Sequence, residues 1–221
     1  MQMSKSTIRT VIISISVLAV ALLAYSFLGN DTPSNGTNGD KKDVTITPAD
    51  HIKGNPNATV TLVEFGDLQC PACQAYEPIV RELMEKHGNE VRFVFKHFPL
   101  SQIHPNALLA AKYAEAAGMQ GKFWEFHDML YDKQKEWANS LNAKTMFETY
   151  GAELGLNVSK LTSDSQNKTL EEKILAEYRE GVKLGVQGTP TFFVNGRKIE
   201  NPRSLEAFEK ILMDAKAEVT Q

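Results

Sequence analysis

Residues 59–65, TVTLVEF, are apolar on both alternating faces, the pattern of a central strand covered on two sides. Gly66-Asp67-Leu68-Gln69 turns out of it, and residues 74–87 are helix-forming, with Pro78 inside predicting a kink or restart. Gly88-Asn89 ends that helix, and residues 91–95, VRFVF, extended to Pro99, form the next strand. Strand, helix and strand joined by short loops predict a βαβ unit with parallel pairing. From about residue 101 to 184 the spacing becomes helical: Asn106 caps ALLAAKYAEAA, and helices follow at 122–137, 143–154 and 170–184. Strand character returns at 191–194, Asn195-Gly196 is a hairpin turn, and 197–200 is the returning strand. Ser204 opens a last amphipathic helix with Leu205, Phe208, Ile211 and Leu212 facing inward. The order predicts an α/β fold split by a helical insertion at about 101–184.

Ahead of this domain, residues 10–28 are uncharged and mostly apolar, about the length that spans a bilayer as a helix. Lys5 and Arg9 precede them, which places the N-terminus in the cytoplasm and the remainder outside. We expect residues 1–28 to be an uncleaved anchor. A cleaved signal peptide is the alternative, but its apolar core is usually shorter. Residues 29–43, GNDTPSNGTNGDKKD, have linker composition, and 44–221 make the folded domain. The expected location is therefore the cell membrane, single-pass, with the domain extracytoplasmic.

The formal net charge of −3 comes with no basic stripe, so nothing points to nucleic acid. Chemistry concentrates in Cys70-Pro71-Ala72-Cys73, which holds both cysteines of the 221-residue chain. A strand feeding a CxxC at the start of a helix suits thiol–disulfide exchange, because amides at a helix N-terminus stabilise a thiolate. A zinc site wants about four ligands, and the five histidines show no ligand-like spacing. A structural bridge over two residues would close only a tiny loop. Redox catalysis is favoured over both. Glu64 shares a strand face with Val60 and Leu62, so alternation turns it inward, where burial raises a carboxyl pKa; a strand-end carboxylate reaching water is the alternative. Pro190 precedes a strand and lies in an X–Pro bond of the type that can be cis. His104, before Pro105, is expected to cap a helix near the cysteines, and Trp124, Phe126 and His127 to pack in the core.

Three segments together, EFGDLQCPAC at 64–73, GKFWEFHDML at 121–130 and VQGTPTFFVNG at 186–196, resemble the DsbA-like branch of the thioredoxin superfamily, of the membrane-anchored bacterial type. The resemblance covers roughly residues 44–217 and implies an α/β thioredoxin-like fold with an inserted helical subdomain. It implies Cys70 as exposed nucleophile and Cys73 as buried partner. Glu64 would assist proton transfer at Cys73. Pro190 would be cis and face the pair, and the Thr189 backbone would bind substrate. Pro71 and Ala72 support the pair. Where strong oxidants of this branch often carry histidine, Ala72 offers neither charge nor hydrogen bond, so a weaker oxidant is expected. The implied function is donation of the Cys70–Cys73 disulfide to reduced exported proteins, with reoxidation by a membrane quinone-linked partner and no cofactor beyond the disulfide. A reductase or isomerase of the same compartment is the nearest rival. A tethered binding protein or chaperone is the rival from another class.

Overall fold

The structure, a computed structural model, describes residues 41–219. The anchor expected at 1–28 and the linker up to residue 40 lie outside the described residues. Among the described residues no helix is long and apolar enough to cross a membrane.

Five strands make one mixed sheet among these residues: β1 (His51–Gly54), β2 (Val60–Gly66), β3 (Val91–His97), β4 (Thr191–Val194) and β5 (Arg197–Lys198). The helices are α1 (Pro71–His87), α2 (Ala107–Gly118), α3 (Phe123–Asp132), α4 (Gln134–Trp137), α5 (Ala143–Glu153), α6 (Val158–Asp164), α7 (Lys168–Lys183) and α8 (Leu205–Val219). The strand order is β1-β3-β2-β4-β5. β2 and β3 are parallel, as a strand–helix–strand unit requires, and the other pairings are antiparallel.

Alternation along the wholly buried β2 divides its side chains between two layers. Val60 and Leu62 pack with Val80 and Leu83 of α1 and Phe208 and Leu212 of α8. Val63 and Phe65 pack on the other face with Phe98, Phe193 and, in α7, Tyr178. The insertion adds its own core around Tyr113, Phe126, Trp137 and Phe147, continuous with Leu68, Cys70 and Cys73. Buried carboxylates tie it to the sheet: Glu177 Oε2 accepts the His97 amide at 2.7 Å, and Glu115 gathers three donors. Glu115 Oε1 accepts from His51 Nε2 and His97 Nε2, each at 3.1 Å, and from Lys173 Nζ. Burial pushes this carboxyl up, but the hydrogen bonds from His51 and His97 outweigh it and hold it well below the usual carboxylate range.

Several elements differ from the pattern-based expectation. β1 was not expected: its HIKG carries a single large apolar residue, and only pairing with β3 makes it a strand. α1 begins at Pro71, not residue 74, because proline is well suited to the first helical position. It also runs through Pro78 without a restart, and Pro78 lies on the exposed side of the helix. The helix expected at 122–137 breaks at Lys133 into α3 and α4, and α6 is additional. Asn106 precedes α2 but makes no side-chain cap. Its amide donates instead to the carbonyls of Trp137, Ala138 and Ser140. The returning strand stops at Lys198. The hairpin turn has positive φ at both Asn195 (47°) and Gly196 (81°), and Lys42 N–H donates to the Gly196 carbonyl at 2.7 Å. Ordered pairing therefore begins within the expected linker.

α7 lies close on the sheet because of Gly181. A Cβ there would fall 2.7 Å from two ring atoms of Phe98 and 2.9 Å from Phe65. Alanine gains about 0.5–1 kcal/mol of helix propensity over glycine, but overpacking typically costs about 1–3 kcal/mol. Gly181→Ala is thus expected to destabilise the chain by about 1 kcal/mol, read as a lower urea midpoint at unchanged slope. A raised midpoint would show that the aromatic layer yields freely.

Candidate active site

β2 delivers the chain through Gly66 and a buried turn to Cys70, the residue before α1. Gly66 is required there, since a Cβ would run into the Phe95 ring and lie 3.0 Å from Glu64 Oε1. Cys70 has extended backbone (φ −69°, ψ 123°), and its carbonyl accepts the Gln74 amide at 3.1 Å, so its sulfur stands at the positive end of the helix. Both cysteines are free thiols in this structure. Cys70 is 7% exposed and Cys73 1%, so the expected nucleophile is far less open than anticipated. Pro71 and Ala72 form the exposed tip between them.

The Thr189–Pro190 bond is cis, and the Cys70 thiol donates to the Thr189 carbonyl at 3.4 Å. The strand-entry proline and the cysteine pair thus meet, although 119 residues separate Cys70 from Thr189. Pro190 is buried, and its carbonyl accepts from Asn201 Nδ2 at 2.8 Å.

The two thiols differ sharply in acidity. A hydrogen bond from Cys73 is the largest influence on Cys70; burial opposes it, while the amides of Cys73 and Ala72 assist. The result is a Cys70 pKa of about 5. Ala72 therefore does contribute, through its backbone rather than its methyl group. Burial, the hydrogen bond to Cys70 and the nearby Glu64 push the Cys73 thiol well up. Glu64 is 3% exposed, on the α1 face of β2 as alternation requires. Burial first, then Glu77 and Cys70, raise its carboxyl well above the ordinary value.

The loop itself is organised by residues that the motifs did not single out. Asp67, 1% exposed, accepts the Cys70 amide on its carbonyl at 2.9 Å and the Gln69 amide on Oδ1 at 2.8 Å. An acidic residue bonding the amide two positions on is ordinary turn chemistry, and a Gly-Asp turn ahead of the cysteines carried that signal. Gln134 had no signal: from α4 its Nε2 donates to the carbonyls of Leu68 (2.8 Å) and Cys70 (3.0 Å). Gln69 reaches the opposite way, donating to Ala138 O at 2.7 Å and accepting the Asn106 amide at 2.7 Å. His104 caps no helix; its ring bonds Asp67. Phe126 and His127 are buried and Trp124 partly so, as core residues.

Glu77, His127 and Asp128 bring metal-ligand atoms within 4.8 Å of one another. Their charges are already answered within the fold. Arg81 Nε is 3.4 Å from Glu77, Lys53 Nζ is 3.3 Å from Asp128, and His127 Nδ1 is 2.8 Å from Asp128. The group reads as an ion-pair network at the side of α1.

Comparison with known proteins agrees with this geometry. Residues 46–214 match the family model described as Thioredoxin. The chain is 39% identical over 166 residues to the Na(+)/H(+) antiporter NhaA 3 of Salinispora tropica, and 41% over 167 residues to NhaA 1 of Salinispora arenicola. In each case 75% of this chain is covered but only 24% of the relative, so the chain spans about a quarter of their length. Among solved structures, a thioredoxin-like oxidoreductase from Silicibacter pomeroyi is 28% identical with a TM-score of 0.67, over 77% of this chain and 94% of that one. BdbD from Bacillus subtilis is 21% identical with a TM-score of 0.70, over 80% and 97%. Alpha-DsbA1 from Wolbachia pipientis is 21% identical with a TM-score of 0.69, over the same shares. With the family model covering most of the chain and the fold matching those solved structures, the chain belongs to the thioredoxin family and has a DsbA-like fold.

Proposed function

We propose that this chain is a thiol:disulfide oxidoreductase that donates the Cys70–Cys73 disulfide to exported proteins outside the cytoplasm, from a membrane tether formed by residues 1–28. The observation that carries the direction is the divided acidity of the pair. A reduced form whose Cys70 is already a thiolate at neutral pH is stabilised, and a stabilised reduced form makes its disulfide a stronger oxidant.

In the oxidised chain a substrate thiolate attacks Cys70 Sγ, forming the substrate–Cys70 bond and breaking Cys70–Cys73. Cys73 leaves with the electron pair and takes a proton, for which we assign the Glu64 carboxyl, its pKa raised by burial, as the source. A second substrate thiolate then attacks the substrate sulfur of the mixed disulfide. Cys70 departs as a thiolate, a good leaving group at a pKa of about 5. The substrate is oxidised to a disulfide and the chain reduced to two thiols. The Thr189 backbone, next to Cys70, would hold the substrate as an added strand, and Pro71 and Ala72 present the accessible tip. Return to the oxidised form calls for an electron acceptor, proposed to be a quinone-linked membrane protein. The transport named for the antiporter relatives belongs to chains about three times as long and is not carried over.

Three outcomes are expected. Cys73→Ala, lacking the resolving sulfur, should accumulate a covalent mixed disulfide with scrambled ribonuclease, its Cys70 thiolate breaking a ribonuclease disulfide and releasing one ribonuclease thiolate, whereas Cys70→Ala should form none. The oxidised natural chain should restore activity to reduced ribonuclease. Failure of both would favour a binding protein over an exchange enzyme.

Thiolate absorbance near 240 nm should show Cys70 titrating at about 5. Because that pKa is depressed, the reduced chain holds its extra stability above the ordinary thiol range of about 8.5 and loses it as pH falls toward the Cys70 value. A midpoint near about 8.5 would contradict the assignment.

Glu64 behaves with the opposite sign. Its raised pKa contributes stability that is full below about 4.3, the ordinary glutamate value, and lost as pH rises through the folded value. Glu64→Gln removes that loss, so its stability relative to the natural chain should climb with pH. Its exchange rate should fall by about tenfold or more, through the missing proton donor. A pH-independent stability difference would place Glu64 outside the buried, protonated role.

A further inference from the structure

We propose that His104 is a positioning residue for the Cys70–Cys73 pair, acting through Asp67; the proposal deepens, and rests on, the thiol–disulfide reading above. Asp67 meets both members of the redox pair through its backbone. Its carbonyl accepts the Cys70 amide at 2.9 Å and the Tyr131 hydroxyl at 3.3 Å, and its own amide favours charge on Cys73. Its carboxylate, with no solvent exposure, accepts the Gln69 amide on Oδ1 at 2.8 Å. On Oδ2 it accepts the Leu100 amide at 2.9 Å and His104 Nδ1 at 2.7 Å.

Among the described residues His104 is the only side chain that donates to this carboxylate; the other donors are backbone amides. The His104 ring is held in place by its own backbone, whose amide donates to Leu100 O at 2.9 Å and whose carbonyl accepts the Ala107 amide at 3.1 Å. The bond therefore fastens the turn after β2 to the start of α2. A buried carboxylate short of one donor must turn toward another donor or toward water, and that change moves the 66–70 turn. Cys70 depends on fixed distances to the Cys73 thiol and to the amides of Ala72 and Cys73. Losing the His104 bond should loosen those contacts. Of the other titratable groups facing the pair, Tyr131 is bonded to the same Asp67 carbonyl and Glu64 lies on β2.

The test uses the reduced full chain in three forms: natural, His104→Ala and His104→Asn. Cys70 is titrated by thiolate absorbance, and thermal midpoints are read in parallel. His104→Ala should raise the Cys70 midpoint by about one pH unit, the scale of one hydrogen bond to a charged group. His104→Asn, whose amide donates from near the Nδ1 position, should return most of it. Cys70 titrating like the natural chain in both variants, with only the thermal midpoint lowered, would overturn the proposal and leave His104 as a structural support. A natural chain titrating near about 8.5 would instead overturn the thiol–disulfide reading. If His104→Ala does not fold, His104→Gln replaces it: its amide falls nearer the Nε2 position, so it should titrate about one unit above His104→Asn. Equal midpoints for Asn and Gln would overturn the proposal.

Discussion

Cys73 lies almost wholly out of water above Glu64, and neither group carries charge readily in that position. Burial makes a second thiolate expensive, so the negative charge of the reduced pair settles on Cys70, where the Cys73 thiol and helix amides receive it. The asymmetry is produced by position along one helix turn. Cys70 precedes the first residue of α1 and meets its unpaired amides, whereas Cys73 faces inward onto the sheet. Chemistry that needs one nucleophile and one protected leaving group follows from that geometry.

The remaining architecture keeps the turn in register. Asp67 closes it from within, Gln134 clamps its carbonyls from the insertion, and Gln69 with Asn106 joins the loops before α2 and after α4. The insertion is therefore part of the site as well as a cover for it. Its docking through Glu115, shared by His51, His97 and Lys173, links β1, β3, α2 and α7 at a single buried oxygen. An anion with this many donors is far less exposed to loss than a lone ion pair, because removing one donor leaves others in place.

Much of this was legible in the chain, for identifiable reasons. β2 and β3 carry continuous apolar runs, α8 has a clear amphipathic face, and Asn195-Gly196 states its turn. The inward direction of Glu64 followed from strand alternation. The meeting of Cys70 with Thr189 and Pro190 came only through resemblance, since local pattern cannot bring together residues 119 positions apart. β1 was illegible because an edge strand with one large apolar residue is defined by its partner. Gln134 was illegible for a related reason: a glutamine on a short helix, 64 residues from Cys70, has no local mark of its role. Ala72 shows a further limit, for residue type describes the side chain while its contribution here is an amide.

The redox equilibrium of Cys70–Cys73 against glutathione tests the central claim most directly. A pair whose reduced form is stabilised by a Cys70 thiolate should equilibrate between about −120 and −200 mV, in the range of proteins that donate or rearrange disulfides. A potential at or below about −270 mV, the range of reductants, would contradict it and reverse the proposed direction of electron flow.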